Sequence, residues 1–395
     1  MRALTLFLVL LNLCSFAEDK TSLEDVLSEN KTQQFEYDKE KNTAEASKLR
    51  DSWIAPIMLN YSYMKSNPTN KTQTDESFSV KINQPIFQSG GIYFGIKYAE
   101  AFKNYSNISV HVAKRGAIKN VVSVYLQIQK LDLEIQKQEL NIKNTKIKLE
   151  QNKELYLSGH LESGFLDNSI IDKNNAILMM YDLKTQKQKL ITEFHSLSDK
   201  KYEDVVLPMF KNMTEDEFLK NNLILKQNRD KIEQDRYMKN VKVAKYLPKV
   251  SFAGGYNWSD SDVSSGLSYY NYGLTLSMPI DINSFRDVES SKVDFLKSKI
   301  VLDDKKKEQK LLFEQVQKNL KNYDFKIALS LENIELYKKL LVDTKQLFEA
   351  GYKSRYDVEL LQNSYNISEL DVKIYEIDKQ LELLNLYEVY EKDEI

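Results

Sequence analysis

The chain has 395 residues, of which 29% are charged, whereas glycine (11 residues) and proline (6 residues) are scarce. This composition favours long helices. The net charge of −2 supplies no basic excess, so the composition excludes an electrostatic basis for binding nucleic acid.

The N-terminus resembles a secretory signal peptide over residues 1–17. Arg2 supplies a positive charge, a mainly apolar run covers residues 4–13, and residues 15–17 have small side chains at both cleavage-site positions. The run is too short to cross a bilayer as a helix, and no later segment approaches the roughly eighteen uncharged apolar residues that a membrane helix needs. The sequence therefore predicts no transmembrane helix.

Cys14 is the only cysteine in the chain. A lipid anchor would need a small residue before it, and Leu13 occupies that position, so the pattern disfavours lipidation. Cleavage after Ala17 would leave a mature chain without cysteine, which would exclude disulfides and thiol chemistry.

We predict one structural unit over residues 18–207. Ser22 and Asp25 place a hydroxyl and an acid three residues apart, which is the pattern that satisfies free amide donors at a helix start. Alternating side chains then predict a β-hairpin, and a long stretch without proline predicts helices. The predicted elements are an opening helix, a hairpin over 56–87, a long helix over 88–157, a turn over 158–164 and a helix over 165–200.

Residues 208–395 repeat this unit. Pro56 and Pro248 lie 192 residues apart, and Gly159 and Gly351 have the same separation. Because self-similarity at a fixed spacing is the signature of a repeated architecture, the sequence predicts an internal duplication. The predicted elements of the second unit are a helix over 214–246, a hairpin over 248–280, a long helix over 282–348, a turn over 349–356 and a helix over 357–392.

All four predicted strands alternate between two kinds of side chain. In the last strand, Tyr270, Tyr272 and Leu274 alternate with Asn271 and Gly273. In a soluble protein, such a sheet would have one face on a core. In an outer membrane, the apolar face would contact lipid and the polar face would line water. Alternation alone does not distinguish these two arrangements.

Both long helices carry an apolar residue at every seventh position, which favours left-handed supercoiling. The first helix has a second such row, about 200° away on a helix of 3.6 residues per turn. Apolar flanks on opposite sides favour a helix packed between two neighbours, like a stave in a barrel, over a simple coiled coil with one seam. The rows are Val121, Ile128, Ile135, Ile142, Leu149 and Tyr156, then Leu126, Leu133, Leu140 and Ile147, and in the second unit Phe313, Leu320, Ile327, Ile334, Leu341 and Phe348.

With these features, the chain resembles the TolC-like family of outer-membrane efflux proteins over essentially its whole mature length. The resemblance rests on the duplicated unit, on the residues that close each hairpin and on the two turns after the long helices. The motifs are Gln84-Pro85-Ile86-Phe87, Met278-Pro279-Ile280, Leu155-Tyr156-Leu157-Ser158-Gly159 and Leu347-Phe348-Glu349-Ala350-Gly351. Each motif is weak alone, and their common repeat spacing makes the combined signal specific.

The resemblance implies a mixed α and β fold, mostly α: a trimeric outer-membrane β-barrel that continues into a long periplasmic α-helical barrel. Four strands per chain cannot close a membrane barrel, so a homotrimer would supply twelve. The implied function is the exit duct of a tripartite efflux or type I secretion system of a Gram-negative bacterium. The implied partners are a periplasmic membrane-fusion adaptor protein, an inner-membrane pump and outer-membrane lipid, with no cofactor.

The resemblance also implies functional positions at the two helix–turn–helix tips, which would dock the adaptor. Family members often narrow the tube just past the second turn with acidic side chains, and Asp357 fits one such position. A ring of Asp357 carboxylates would favour cations, whereas a solvated acid at a helix start is the alternative. The family's second acid, three residues later, is replaced here by Leu360. The tip residues are Gly159, His160, Leu161, Glu162, Ser163, Gly351, Tyr352, Lys353 and Ser354.

The sequence contains no recognisable catalytic or metal-binding motif. The histidines, His111, His160 and His195, lack metal-ligand spacing, and phosphate-binding glycine loops and serine elbows are missing. The chain is therefore predicted not to be an enzyme. The alternative function is a soluble periplasmic or secreted coiled-coil adaptor or adhesin whose hairpins form a small sheet.

Overall fold

In the computed structural model, residues 23–67, 71–262 and 264–391 are described, and they form seven α-helices and four β-strands. The proposed signal peptide, Cys14 and the predicted cap Ser22 lie outside these residues. The helices are α1 (Glu29–Arg50), α2 (Gly91–Leu157), α3 (Ser163–Leu197), α4 (Glu215–Lys220), α5 (Leu223–Lys245), α6 (Ser284–Glu349) and α7 (Arg355–Tyr387). The strands are β1 (Met58–Ser66), β2 (Gln73–Phe87), β3 (Lys249–Ser261) and β4 (Ser264–Ser277).

The two long helices, α2 and α6, end in the same kind of turn. They contain 67 and 66 residues, so each is about 100 Å long at 1.5 Å per residue. Gly159 and Gly351 follow them with φ angles of 74° and 80°, a left-handed conformation that glycine adopts without a Cβ clash. In both turns, the amide after the glycine donates a 2.8 Å hydrogen bond to a carbonyl five residues earlier. The two turns are therefore equivalent in the two halves of the chain.

The segment predicted as one helix over 214–246 is interrupted at Asn222. The Thr214 hydroxyl caps α4 by accepting from the Glu217 N–H at 3.3 Å. The Asn222 side chain then caps α5, by accepting from the Leu225 N–H at 3.1 Å. Asparagine is favoured at a helix cap and competes with helical continuation, which accounts for the break.

The last helix also differs from its predicted end at residue 392. It ends at Tyr387, because backbone hydrogen bonds of 2.7 and 2.9 Å join residues 389–391 to residues 221–223. Arg115 reinforces this docking, since its Nη2 atom donates hydrogen bonds to the carbonyls of Tyr387 and Tyr390. The end of the chain is thus tied to the break between α4 and α5.

The first helix begins later than the sequence pattern indicated. A 3₁₀ turn over Leu23–Val26 comes first, and α1 starts at Glu29. Its cap is Ser28, whose hydroxyl accepts from the Lys31 N–H at 3.4 Å. Serine is favoured at the N-cap, because its side-chain oxygen accepts a hydrogen bond from an amide of the first turn that has no partner within the helix.

The sheet joins the two halves of the chain. All neighbouring strands are antiparallel in the order β1-β2-β3-β4, and β2 of the first half pairs with β3 of the second half. Phe78 in β2 lies opposite Tyr61 in β1 and Trp258 in β3. Among the described residues, β1 and β4 each pair with one neighbour only, so both outer edges of the sheet are open.

The helices lie side by side in four positions, which we call staves: the α1–α3 pair, α2, the α5–α7 pair and α6. α1 and α3 pack along one flank of α2, whereas α5 and α7 pack along its other flank. This arrangement confirms the two-flank prediction for α2, whose Leu126 and Ile128 are both buried. α6 packs against α5 and α7, and its buried Phe313 stacks on Phe218 of α4 with ring centroids 5.6 Å apart. Leu336 of α6 remains 51% exposed on the free flank.

A connecting segment crosses the staves near their middle. The Tyr125 hydroxyl in α2 donates to the Val205 carbonyl at 2.6 Å. The Phe210 N–H then donates to Gln380 in α7 at 2.7 Å. This segment, residues 205–210, which we call the strap, contributes Val205 and Phe210 to the hydrophobic core that also holds the fully buried Phe194 and Phe218. The core therefore sits at the waist of the helical row rather than under the sheet.

Candidate channel walls and tips

One face of the sheet is apolar and exposed. Directly opposite residues share a face, so the strand register assigns every side chain to one side or the other. Tyr270, Tyr272 and Leu276 are 76%, 76% and 73% exposed. The apolar residues of this face are Leu59, Tyr61, Tyr63, Phe78, Val80, Ile82, Val250, Phe252, Tyr256, Trp258, Tyr270, Tyr272, Leu274 and Leu276, and the acidic residues Glu76 and Asp260 share it near the hairpin loops. Such a face has the chemistry of a surface that contacts lipid.

The opposite face is polar and carries Lys81 near its middle. Lys81 lies opposite Met58 and Gly255, and its neighbours on this face include Asn271. A Cβ atom at Gly255 would lie 2.9 Å from the Asn271 Oδ1 atom, so the glycine leaves the space that this polar group occupies. The place of Lys81 in the strand alternation is a sequence signal for this position.

The two turns predicted as tips lie at the same end of the helical row. Gly159 to Ser163 join α2 to α3, and Gly351 to Ser354 join α6 to α7. The Tyr356 hydroxyl donates to the Glu154 carboxylate at 3.1 Å, which links the first turn of α7 to the last turns of α2. This hydrogen bond raises the pKa of Tyr356.

Asp357 lies in a capping box at the start of α7. The Ser354 hydroxyl accepts from the Asp357 N–H, and the Asp357 Oδ2 atom accepts from the Ser354 N–H at 2.9 Å. Hydrogen bonds from the backbone amide and the hydroxyl of Ser354 lower the pKa of Asp357. The carboxylate is therefore ionised at neutral pH, and one of its oxygens serves the helix cap.

Asp357→Asn should lower cation selectivity in single-channel recordings, if the carboxylates form the ring that the resemblance implies. The substitution removes the charge and also weakens the capping box. Ser354→Ala is the matched control, because it weakens the same cap and keeps the charge. An equal change in both variants would assign the effect to the structure of the tip, and unchanged selectivity in Asp357→Asn would refute the ring.

A ladder of polar contacts joins α2 to α7 between the waist and the tips. Lys130 contacts Asp378 at 2.7 Å, and Lys137 contacts Asp371 at 2.5 Å. One heptad further on, the Asn363 side chain donates to Asn144 at 2.8 Å. The contacts recur every seven residues along α2, so they define the register of the two antiparallel helices. The sequence shows the charged residues, but only the tertiary structure shows which of them pair.

The described helices include none with the length and hydropathy of a membrane span. The same part of the chain holds no group of three or more His, Cys, Asp or Glu side chains placed to bind a metal ion.

Solved structures of outer-membrane proteins share this fold. The outer-membrane channel CmeC of Campylobacter jejuni matches with a TM-score of 0.71 at 13% identity, over 94% of this chain and 86% of CmeC. The outer-membrane protein VceC of Vibrio cholerae matches with a TM-score of 0.72 at 10% identity, over 93% of this chain and 95% of VceC. The outer-membrane channel MtrE of Neisseria gonorrhoeae, in its open state, matches with a TM-score of 0.67 at 12% identity, over 93% of this chain and 87% of MtrE.

No protein-family model and no curated protein sequence matches the chain. The structural likeness confirms the resemblance to TolC-like channels at the level of the fold. It confirms the mostly helical fold class with a small antiparallel sheet.

Proposed function

We propose that three copies of this chain form a channel through the outer membrane of a Gram-negative bacterium and across its periplasm. The channel would be the passive exit duct of a tripartite efflux or type I secretion system. The observation that carries this proposal is that the sheet and the helical row are both open at their two ends. β1 and β4 are the open sheet edges, whereas α6 and the α1–α3 pair end the helical row.

Closure of both layers needs more than one chain. Four strands are too few for a membrane barrel, whose known minimum is about eight. Open edges in lipid would leave backbone groups unpaired at a cost of several kcal/mol each. Three chains related by a threefold axis would pair each β4 with the next β1, which makes twelve strands. The same rotation would place each α6 beside the α1–α3 pair of the next chain.

The second candidate function is a soluble coiled-coil adaptor or adhesin. Its sheet would need a covered apolar face, because large exposed apolar patches are unfavourable in water. Phe252, Tyr256 and Leu274 are instead exposed on the same face. The extent of this aromatic face favours the membrane channel.

The experiment that tests the channel proposal combines extraction, mass and conductance. We expect the full chain to require detergent for extraction, to have the mass of a trimer and to migrate as a heat-sensitive trimer. We also expect it to conduct ions in a planar bilayer. A water-soluble monomer released with the periplasmic fraction would favour the adaptor or adhesin.

The tips around Gly159 and Gly351 would dock a periplasmic adaptor of an inner-membrane pump. We expect Leu161→Glu and Lys353→Glu to reduce crosslinking to the adaptor, while the mass of the trimer stays unchanged. Lys31→Glu in α1 is the control, since Lys31 is an exposed lysine far from the turns along the chain. Crosslinking that does not respond to the tip variants would contradict docking at this end.

A further inference from the structure

The distal halves of the long hairpins are related by a constant offset of 192 residues. Asp132 in α2 pairs with Lys187 in α3, and Asp324 in α6 pairs with Lys379 in α7, both at 2.5 Å. Each partner of the second pair lies 192 residues after its counterpart, as Gly351 does after Gly159. The offset therefore maps α2 onto α6 and α3 onto α7 at the level of single side chains.

In this region, the two halves of the chain pack together through α2 and α7. We call the contact between α2 and α7 the internal seam. Its register is given by Lys137 with Asp371 and by Asn144 with Asn363. The charges of the internal seam are half-buried, with side-chain exposures of 33% for Lys137 and 19% for Asp371.

Positions in α6 follow their equivalents in α2 by 192 residues, and positions in α3 precede their equivalents in α7 by 192 residues. The contact equivalent to the internal seam is therefore one between α6 and α3. These helices lie at the two ends of the row of staves, so they can meet only when neighbouring chains close the ring. This contact, which we call the subunit seam, rests on the proposed trimer. It continues the packing of the internal seam around the ring.

The subunit seam differs from the internal seam in its chemistry. The positions equivalent to Lys137 and Asp371 are Leu329 and Met179, which are 49% and 57% exposed in the single chain. The positions equivalent to Asn144 and Asn363 are Leu336 and Ile171, which are 51% and 54% exposed. These four positions are apolar and exposed where the internal seam is polar and packed, whereas the positions equivalent to Lys130 and Asp378 nearer the waist, Asn322 and Gln186, stay polar.

We infer that neighbouring subunits join through apolar pairs, with Leu329 against Met179 of the partner subunit and Leu336 against Ile171 of the partner subunit. Burial of these side chains stabilises the subunit seam by the hydrophobic effect, which salt does not screen. The second copy of this chain is the occupant that the internal repeat specifies for the free flank of α6.

The contrast between the two seams also selects the correct partner helix. If α7 packed on the free flank of α6, Asp371 would be buried against Leu329 without its cation. If α3 packed on the α7-facing flank of α2, Lys137 would be buried against Met179 without its anion. An unpaired charge in a packed interface is costly. The ion pairs of the internal seam therefore disfavour the exchange of staves between subunits.

Paired cysteines test the subunit seam. In a Cys14→Ser background, Leu336→Cys with Ile171→Cys should crosslink neighbouring chains on oxidation, because disulfides need Cα atoms about 4.4–6.8 Å apart. We expect covalent dimers and trimers on a denaturing gel. Asn144→Cys with Asn363→Cys, the equivalent pair on the internal seam, is the control, and it should crosslink within one chain and leave only monomers on that gel.

A shifted pair tests the register. Leu329→Cys with Ile171→Cys differs from the matched pair by one heptad, about 10 Å along a helix, and should give no intermolecular crosslink. Light scattering of the unoxidised variants measures their oligomeric state, which tests the trimer separately from the subunit seam. A trimer that crosslinks through the shifted pair, or through neither pair, overturns the proposed seam and leaves the channel intact. A monomer overturns the proposed trimer together with the seam.

Discussion

Leu274→Arg should prevent stable assembly of the barrel in the membrane, whereas Thr275→Arg should be tolerated. Leu274 is 69% exposed on the apolar face of β4, and Thr275 is exposed on the polar face. An arginine on the lipid face costs about 2–4 kcal/mol at the middle of the bilayer and less toward its interfaces, and the cost would apply to each of three chains. The measurement is the amount of heat-sensitive trimer in the outer-membrane fraction.

The two variants differ by one residue, so they share strand, height and added charge. Their comparison isolates the face of the sheet, because a shift of one residue moves a side chain to the opposite face. Equal tolerance of both substitutions would show that lipid does not cover this face. Loss of the trimer in Thr275→Arg alone would reverse the assignment of the two faces.

Phe194→Ala should lower the free energy of unfolding of the helical region by about 3–5 kcal/mol, since it leaves a cavity in the core. The Phe194 ring is 0% exposed, and its centroid lies 6.4 Å from that of Tyr125, the residue that holds the strap. The measurement is the loss of helical circular dichroism on heating or in denaturant.

His195→Ala is the matched control for the core substitution. His195 follows Phe194 on the same helix and is exposed, so its removal should change the unfolding transition little. Equal effects of the two substitutions would contradict a core at the waist. The pair also separates a packing effect from any change in the helix propensity of α3.

Local patterns in the sequence predicted much of the fold. Period-two alternation predicted the strands around Tyr61 and Tyr272, and period-seven rows predicted both long helices. The glycines at 159 and 351 predicted the turns, because a left-handed residue after a helix is a local requirement of the backbone. These signals depend on neighbours within a few residues, so the sequence contains them in full.

The sequence predicted less of the candidate site. Asp357 was identified from a resemblance, and its role in the capping box with Ser354 was missed, although that spacing is a local signal. The strand alternation places Lys81 on the polar side of β2, and only the register of the four strands shows which residues surround it. The cap at Asn222 is a local signal for the break between α4 and α5, but the docking of the chain end on this break joins residues far apart in sequence and has no local signal.

By itself, the sequence determined the repeated unit, the lengths of the helices and the two flanks of α2. Only the tertiary structure decided that Lys137 meets Asp371 and that Leu336 and Ile171 are left uncovered at the two ends of the row. The physical reason is that periodicity depends on backbone geometry within one element. Register and exposure depend on which distant elements pack together, and a single chain of this protein leaves both of its layers open.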